Sequence, residues 1–333
     1  MSAASAALAP EGSVLTLSGV CISTGSEAAP TPLVTGVDLE LGQAEILGLV
    51  GESGSGKSLT ALSCMGLLPA GVRVTGGSIV VDGRDITSAR QSELRRLRGP
   101  EIAMIFQDPM TSLDPCFRIG RQMVEAVTEH EDVSRKVARA RAIDMLGHVG
   151  VPEPERRFEA FPHELSGGLR QRVMIATALL LEPRVLIADE PTTALDVTTQ
   201  ASILKLVDRL RDELRMSVLW ISHDLAVVAE LADRVAVMYA GEIVESADTD
   251  DLFSRPRHHY TQGLLVCARH GERGDAFGSI EGSVPESTEW SSGCRFANRC
   301  ARADEACAEH PALSFAGGHG VRCVHPLGEG ARS

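Results

Sequence analysis

"EILGLVGESGSGKSLTALSCMGLL" occupies residues 45–68. It starts as a strand-like apolar run, 45–50, crosses a glycine-rich loop, 51–58, and enters a helix-compatible segment that stops before Pro69. The loop has the form G-x-x-x-x-G-K-[ST]. Gly51, Gly54 and Gly56 let the backbone turn tightly, so that successive N–H groups converge on phosphate oxygens, and Ser53, Ser55 and Leu59 belong to the same cradle. The following helix adds its positive N-terminal end. Lys57 brings a cation to the β and γ phosphates, and the Ser58 hydroxyl suits Mg²⁺. The expected fold is α/β, and the expected ligand is a nucleoside triphosphate.

A partner for this loop comes much later. "RVLIADEPTTALD" is a buried-strand pattern at 185–188 that ends in two carboxylates. Asp189, at the strand tip, suits the magnesium shell alongside Ser58, and Glu190 suits a group that orients and deprotonates a water. "HELSGGLRQRVMIATALLLEP" places Ser166, Gly167 and Gly168 just before a periodic helix with Val173, Ala176, Leu179 and Leu180 on one face. A small hydroxyl and two glycines at a helix N-terminus make a second anion site.

With these motifs in hand the chain resembles the ATP-binding cassette (ABC) family over roughly residues 13–255. The motifs stand in the family's order: the P-loop, Gln107 in "IAMIFQDP", the signature at 165–168, Asp189 and Glu190, the D-loop at 194–196, and His223 in "LWISHD". The resemblance implies a RecA-like core with a helical subdomain at about 108–165. It also implies a head-to-tail dimer, in which the signature of one subunit closes over ATP held by the P-loop of the other. Carried over, Gln107 touches the magnesium site and reports nucleotide state, and His223 bonds the γ-phosphate. Ser166 and Gly168 contact the nucleotide of the opposite subunit, and Asp196 links the two sites. One departure stands out. The family stacks an aromatic ring on adenine from the first strand region, yet "SVLTLSGVCISTGSEAAP", residues 13–30, has no Phe, Tyr or Trp. Val20 or Ile22 would have to offer an aliphatic surface instead.

The totals set bounds. At 333 residues and a net charge of −13, the chain is long enough for two or three domains and the wrong sign for a nucleic-acid partner. The basic run "SRKVARARA" reads as a solvated helix face. Residues 1–12 read as a floppy leader without a secretory signal, and no window approaches eighteen uninterrupted apolar residues. The expected place is the cytoplasmic face of a membrane, held there by partners.

"PRHHYTQGLL", 256–265, and a cysteine-rich tail resemble the ATP-binding subunits of oligopeptide/dipeptide importers, a group that includes nickel uptake systems. The resemblance implies two membrane permease subunits, an extracytoplasmic binding protein acting indirectly, and a paralogous second cassette. Nickel or another small solute stays open as cargo. A non-transport ABC ATPase fits less well, because the chain carries neither two cassettes nor a long coiled-coil insertion. Residues 256–333 are expected as a small domain. Its Cys294, Cys300, Cys307 and Cys323 are spaced C-x5-C-x6-C-x15-C, without the C-x2-C pairs usual in zinc knuckles. A reducing compartment disfavours disulfides. A [4Fe–4S] cluster, Zn²⁺ assisted by His310, His319 or His325, and free thiols remain as readings, the cluster first. Cys21, Cys64, Cys116 and Cys267 read as isolated small apolar residues.

Overall fold

The chain opens with long strands β1 (Ser13–Ser26) and β2 (Ala29–Gly42), followed by β3 (Ile46–Val50), β4 (Val72–Val81) and the short β5 (Arg84–Asp85). The computed structural model describes residues 12–26, 28–107, 112–193, 196–273 and 280–328. Residues 1–11 of the expected leader, Asp108, and Ala194 and Leu195 of the D-loop lie outside them. Four of the opening strands form an antiparallel sheet in the order β2-β1-β4-β5.

The second sheet collects β3 with β6 (Ile102–Ile105), β7 (Val185–Asp189), β8 (Ser217–Ser222), β9 (Arg234–Tyr239), β10 (Glu242–Asp248), β11 (Ser314–Ala316) and β12 (His319–Val321). Its order is β11-β12-β10-β9-β3-β8-β7-β6. Strands β9, β3, β8, β7 and β6 run parallel, and β3, β7 and β8 are buried along their whole length. That explains their continuous apolar runs, since a parallel sheet is covered on both faces. Alternation sorts the two faces: Ile46 and Val50 join one core, and Leu47 and Leu49 join the other. Parallel strands deliver their carboxyl ends to one edge, where ligands bind in such folds.

The helical subdomain contains the helices Ile119–Thr128, Arg135–His148 and Pro154–Phe158 and packs on the helix Gly167–Leu179. Ile119, Met123 and Val127 face Ala138, Ala142 and Leu146, each set four residues apart. Arg135, Lys136 and Arg139 are exposed, and Arg141 pairs with Glu131 at 2.6 Å, so the basic run is indeed a solvated face. No helix of the described residues is long and apolar enough to cross a membrane.

The C-terminal segment does not fold apart, contrary to the expectation of a separate small domain. β12 pairs with β10, and Tyr260 and Phe296 are buried in the core that also holds Val237 and Tyr239 of β9. Two buried glutamates of β10 anchor it. Glu245 accepts from the His258 amide at 3.0 Å and from His319 Nε2 at 2.7 Å, and Glu242 accepts from His310 Nε2 at 2.8 Å. A buried carboxylate needs such partners, because desolvation alone would cost several kcal/mol per ion (order of magnitude). Three expectations about cysteines and histidines change here. Cys116 is exposed rather than packed. His310 and His319 bond these carboxylates and, unlike His325, do not line the cavity bordered by Cys294, Cys300, Cys307 and Cys323.

Gly48 brings β3 against the helix Leu225–Leu231: a Cβ there would stand 2.6 Å from Val228 Cγ1 and 3.3 Å from Ala232 Cβ. Val228 is β-branched and fully buried, so it cannot swing aside. Gly48→Ala is expected to destabilise the fold by about 1–3 kcal/mol through overpacking, read from the urea unfolding midpoint.

Candidate functional site

Between β3 and the helix Lys57–Met65 the chain wraps around the lysine itself. Gly51, Gly54 and Gly56 have φ of 155°, 81° and 106°, and a Cβ at Gly51 would meet the Met238 carbonyl oxygen at 2.1 Å. Only glycine permits both the left-handed backbone and the close approach. Lys57 is 6% exposed, and its Nζ donates to the carbonyls of Gly51 at 2.7 Å and Glu52 at 3.0 Å. Burial pulls its pKa down, while the carboxylates of Glu190, Asp189 and Glu52 oppose that shift.

Two of those carboxylates, Asp189 and Glu190, arrive at the carboxyl end of β7. Asp189 ends β7 and accepts from Ser58 Oγ at 3.2 Å. Burial raises its pKa against the Ser58 hydrogen bond, and the adjacent Glu190 charge adds to the rise. Glu190 has a left-handed backbone, φ 48°, uncommon for a residue with a side chain and frequent at functional sites. Its carboxylate is a hub. Gln107 Nε2 donates to Oε2 at 3.0 Å, Thr193 Oγ1 donates to the same oxygen at 3.0 Å, and His223 Nδ1 lies 3.1 Å from Oε1. The ends of β6, β7 and β8 thus bring together three residues separated by up to 116 positions in sequence (107 to 223).

These groups border a cleft of about 530 Å³, lined on one side by residues 53–59, Gln107 and Glu190. Ser166, Gly167 and Gly168 do not line it. Ser166 caps the helix Gly167–Leu179 by accepting from the Leu169 amide at 3.4 Å, and it is exposed. A Cβ on Gly168 would stand 2.9 Å from Thr199 Cγ2. Thr199 is fixed by Asp196, which accepts from its amide at 3.0 Å and its hydroxyl at 2.7 Å; hydrogen bonds from Thr198 and Thr199 hold the Asp196 carboxyl well below the usual range. Thr199 thus links the signature glycine to the D-loop acid.

The other side of the cleft comes from the C-terminal segment: Val284, Pro285, Glu286, Ser287 and Trp290, with Leu33 of β2. Val20 and Ile22, expected as an aliphatic surface for a base, are fully buried in the strand core and do not reach it. The segment also grips the P-loop directly. Arg299 makes a two-pronged pair with Glu52, at 2.7 and 3.0 Å, and Tyr260 Oη accepts from the Glu52 amide at 2.9 Å. The Glu52 hydrogen bond drives the Arg299 pKa upward. The sequence reading missed Glu52, Tyr260, Trp290 and Arg299; the aromatic in "PRHHYTQGLL" was the one signal that pointed to Tyr260.

Cys294, Cys300, Cys307 and Cys323 do converge, around a single small cavity that His325 also lines. The Cys294 amide donates to the Cys307 carbonyl at 2.9 Å. Burial pushes up the thiols of Cys294 and Cys300, and that of Cys323 to about 11. Among the described residues the set of ligand atoms lying within 4.8 Å of one another is Asp304, Cys307 and His325, not the four sulfurs.

The ABC transporter family model matches residues 34–193, and the model for the oligopeptide/dipeptide transporter C-terminal region matches residues 244–307. The chain is 48% identical to the oligopeptide transport ATP-binding protein AppD of Bacillus subtilis, covering 91% of this chain and 93% of that protein. It is 44% identical to the dipeptide transport ATP-binding protein DppD of Escherichia coli, over 96% and 98% of the two chains. Its structure is similar to the dimeric bacterial ABC transporter cassette MJ0796, with TM-score 0.63 and 27% identity, covering 71% of this chain and 98% of that one. Together with the P-loop, the acidic strand end and the segment that closes over them, these likenesses make the chain a member of the ATP-binding subunits of oligopeptide/dipeptide ABC transporters, enzymes that couple ATP hydrolysis to transport.

Proposed function

We propose that this chain powers the uptake of di- and oligopeptides through a membrane permease, by binding ATP in the P-loop cleft and hydrolysing it there. The observation that carries the reading is the Glu190 hub beside that cleft. A carboxylate held by Gln107, Thr193 and His223, a few side chains from a buried lysine, is built to orient a water and take its proton. Ser58, Asp189 and Gln107 would hold Mg²⁺, since hydroxyl, carboxylate and amide oxygens are the hard donors it selects. The ion supplies charge neutralisation at the β and γ phosphates. Lys57 and the amides of residues 53–59 bind the phosphates, and His223 contacts the γ-phosphate. Ser166, Gly167 and Gly168 act on the nucleotide of a second cassette, and Asp196 couples the two sites. None of them lines this chain's own cleft, and Ser166, Gly167 and Asp196 are exposed, which supports that role.

The second cassette is a paralogue in a head-to-tail dimer. Two permease subunits dock on the helical subdomain, and the assembly lies at the cytoplasmic face of the membrane. ATP favours the closed dimer, so binding closes it and hydrolysis releases it.

The cysteines hold a [4Fe–4S] cluster that staples the C-terminal segment. A zinc ion would gather four thiolates at ~2.3 Å from the metal and so ~3.8 Å from one another. Among the described residues no three of these sulfurs lie within 4.8 Å of one another, as zinc would require, while all four border one cavity, which supports the cluster.

Glu190→Gln is expected to lower kcat by about 10²–10⁴-fold with ATP affinity retained, measured by phosphate release and by calorimetric titration. Iron and acid-labile sulfide should copurify with protein prepared without air, and Cys300→Ser should abolish both; colourless, iron-free wild type would end the cluster assignment.

A further inference from the structure

The cleft has two chemically different ends. One carries the phosphate-binding amides, Lys57 and Ser58; the other is formed by Leu33, Val284, Pro285 and Trp290. Its volume of about 530 Å³ falls in the range of small-molecule and cofactor sites. A nucleotide seated with its phosphates in the P-loop directs its base toward the second end. Among the described residues that line the cleft, Trp290 is the one aromatic.

Trp290 is held as a fixed platform. The Arg295 guanidinium stacks on its ring, 3.8 Å from the centroid, and Nε1 donates to the Pro285 carbonyl at 3.3 Å. The outer edge of the six-membered ring rests on Gly241, where a Cβ would come within 2.6 Å of Cη2 and 2.7 Å of the Leu33 oxygen. Gly241 in turn donates its amide to the Ser55 carbonyl at 2.8 Å. One glycine thus separates the indole from the phosphate-binding loop, and the ring stays half-buried beside the cleft. Arg295 is itself buried and stands 3.7 Å from Glu242, so the stack is anchored to β10.

We propose that Trp290, contributed by the C-terminal segment rather than by the first strands, is the base-stacking surface of the ATP site. The proposal deepens the reading of this cleft as the ATP site and rests on it. It accounts for the missing ring at residues 13–30: the π-face comes from the far end of the chain. It also gives the segment a direct part in nucleotide binding.

The test titrates the full chain with Mg-ATP and, separately, with Mg-tripolyphosphate, which has no base. Trp290→Ala should weaken ATP about 5- to 150-fold, the range for losing one base–aromatic stack, and leave tripolyphosphate within about 2-fold. Trp290→Phe, which keeps a ring, should retain most of the ATP affinity. In Trp220→Phe protein, ATP should quench the remaining Trp290 fluorescence and tripolyphosphate should not. That measurement decides the matter even if the alanine variant fails to fold. Equal weakening of both ligands would overturn the proposal by reducing Trp290 to a structural anchor, and unchanged ATP affinity or absence of differential quenching would overturn it outright. Wild type that binds neither ligand would instead overturn the assignment of the cleft, and this proposal with it.

Discussion

The ammonium of Lys57 is buried at the head of a parallel sheet, and a charge taken out of water has to be met by the groups around it. Its protons go to the backbone carbonyls of Gly51 and Glu52, which curls the loop around the lysine. Counter-charge comes from Glu190, Asp189 and Glu52. The first two can be there because β7 runs parallel to β8, and β8 to β3, so all three strands end at the same edge. Loop curvature and acid placement thus meet the needs of one buried cation at an edge that the strand order provides, and the cleft for phosphate lies between them.

Glu52 extends that constraint to the end of the chain. Its backbone amide donates to Tyr260, and its carboxylate takes both prongs of Arg299, whose side chain is only 6% exposed. Removing Glu52 would leave the nearly buried Arg299 guanidinium without its counter-charge. Cys300 follows Arg299 directly, so the cysteine-lined cavity and the grip on the P-loop share one short stretch of chain. The aromatic cluster of Tyr239, Tyr260 and Phe296, with ring centroids 4.6–5.4 Å apart, fills the space between. Phosphate loop and C-terminal segment therefore form one packed unit.

Local chemistry was readable wherever the residues that cooperate are neighbours in sequence. The P-loop glycines, the helix cap at Ser166 and the buried run of β7 each carry their reason within a few positions. The apolar face of Val173, Ala176, Leu179 and Leu180 is buried as its spacing required. Val20 and Ile22 show the limit. Their aliphatic character was plain, but a strand between two partners turns both into core, and no local pattern says which cleft a side chain reaches.

What the sequence alone determined was the α/β phosphate-binding architecture and the acidic pair, because motif spacing and hydrophobic period act over short stretches. Only the tertiary structure decided that the C-terminal segment continues the main sheet, that Arg299 clasps Glu52 across 247 residues, and that Trp290 lines the same cleft as the P-loop. Such contacts join side chains whose proximity is set by strand order and the burial of an entire core. That information belongs to the folded chain as a whole and is not carried by any segment of it.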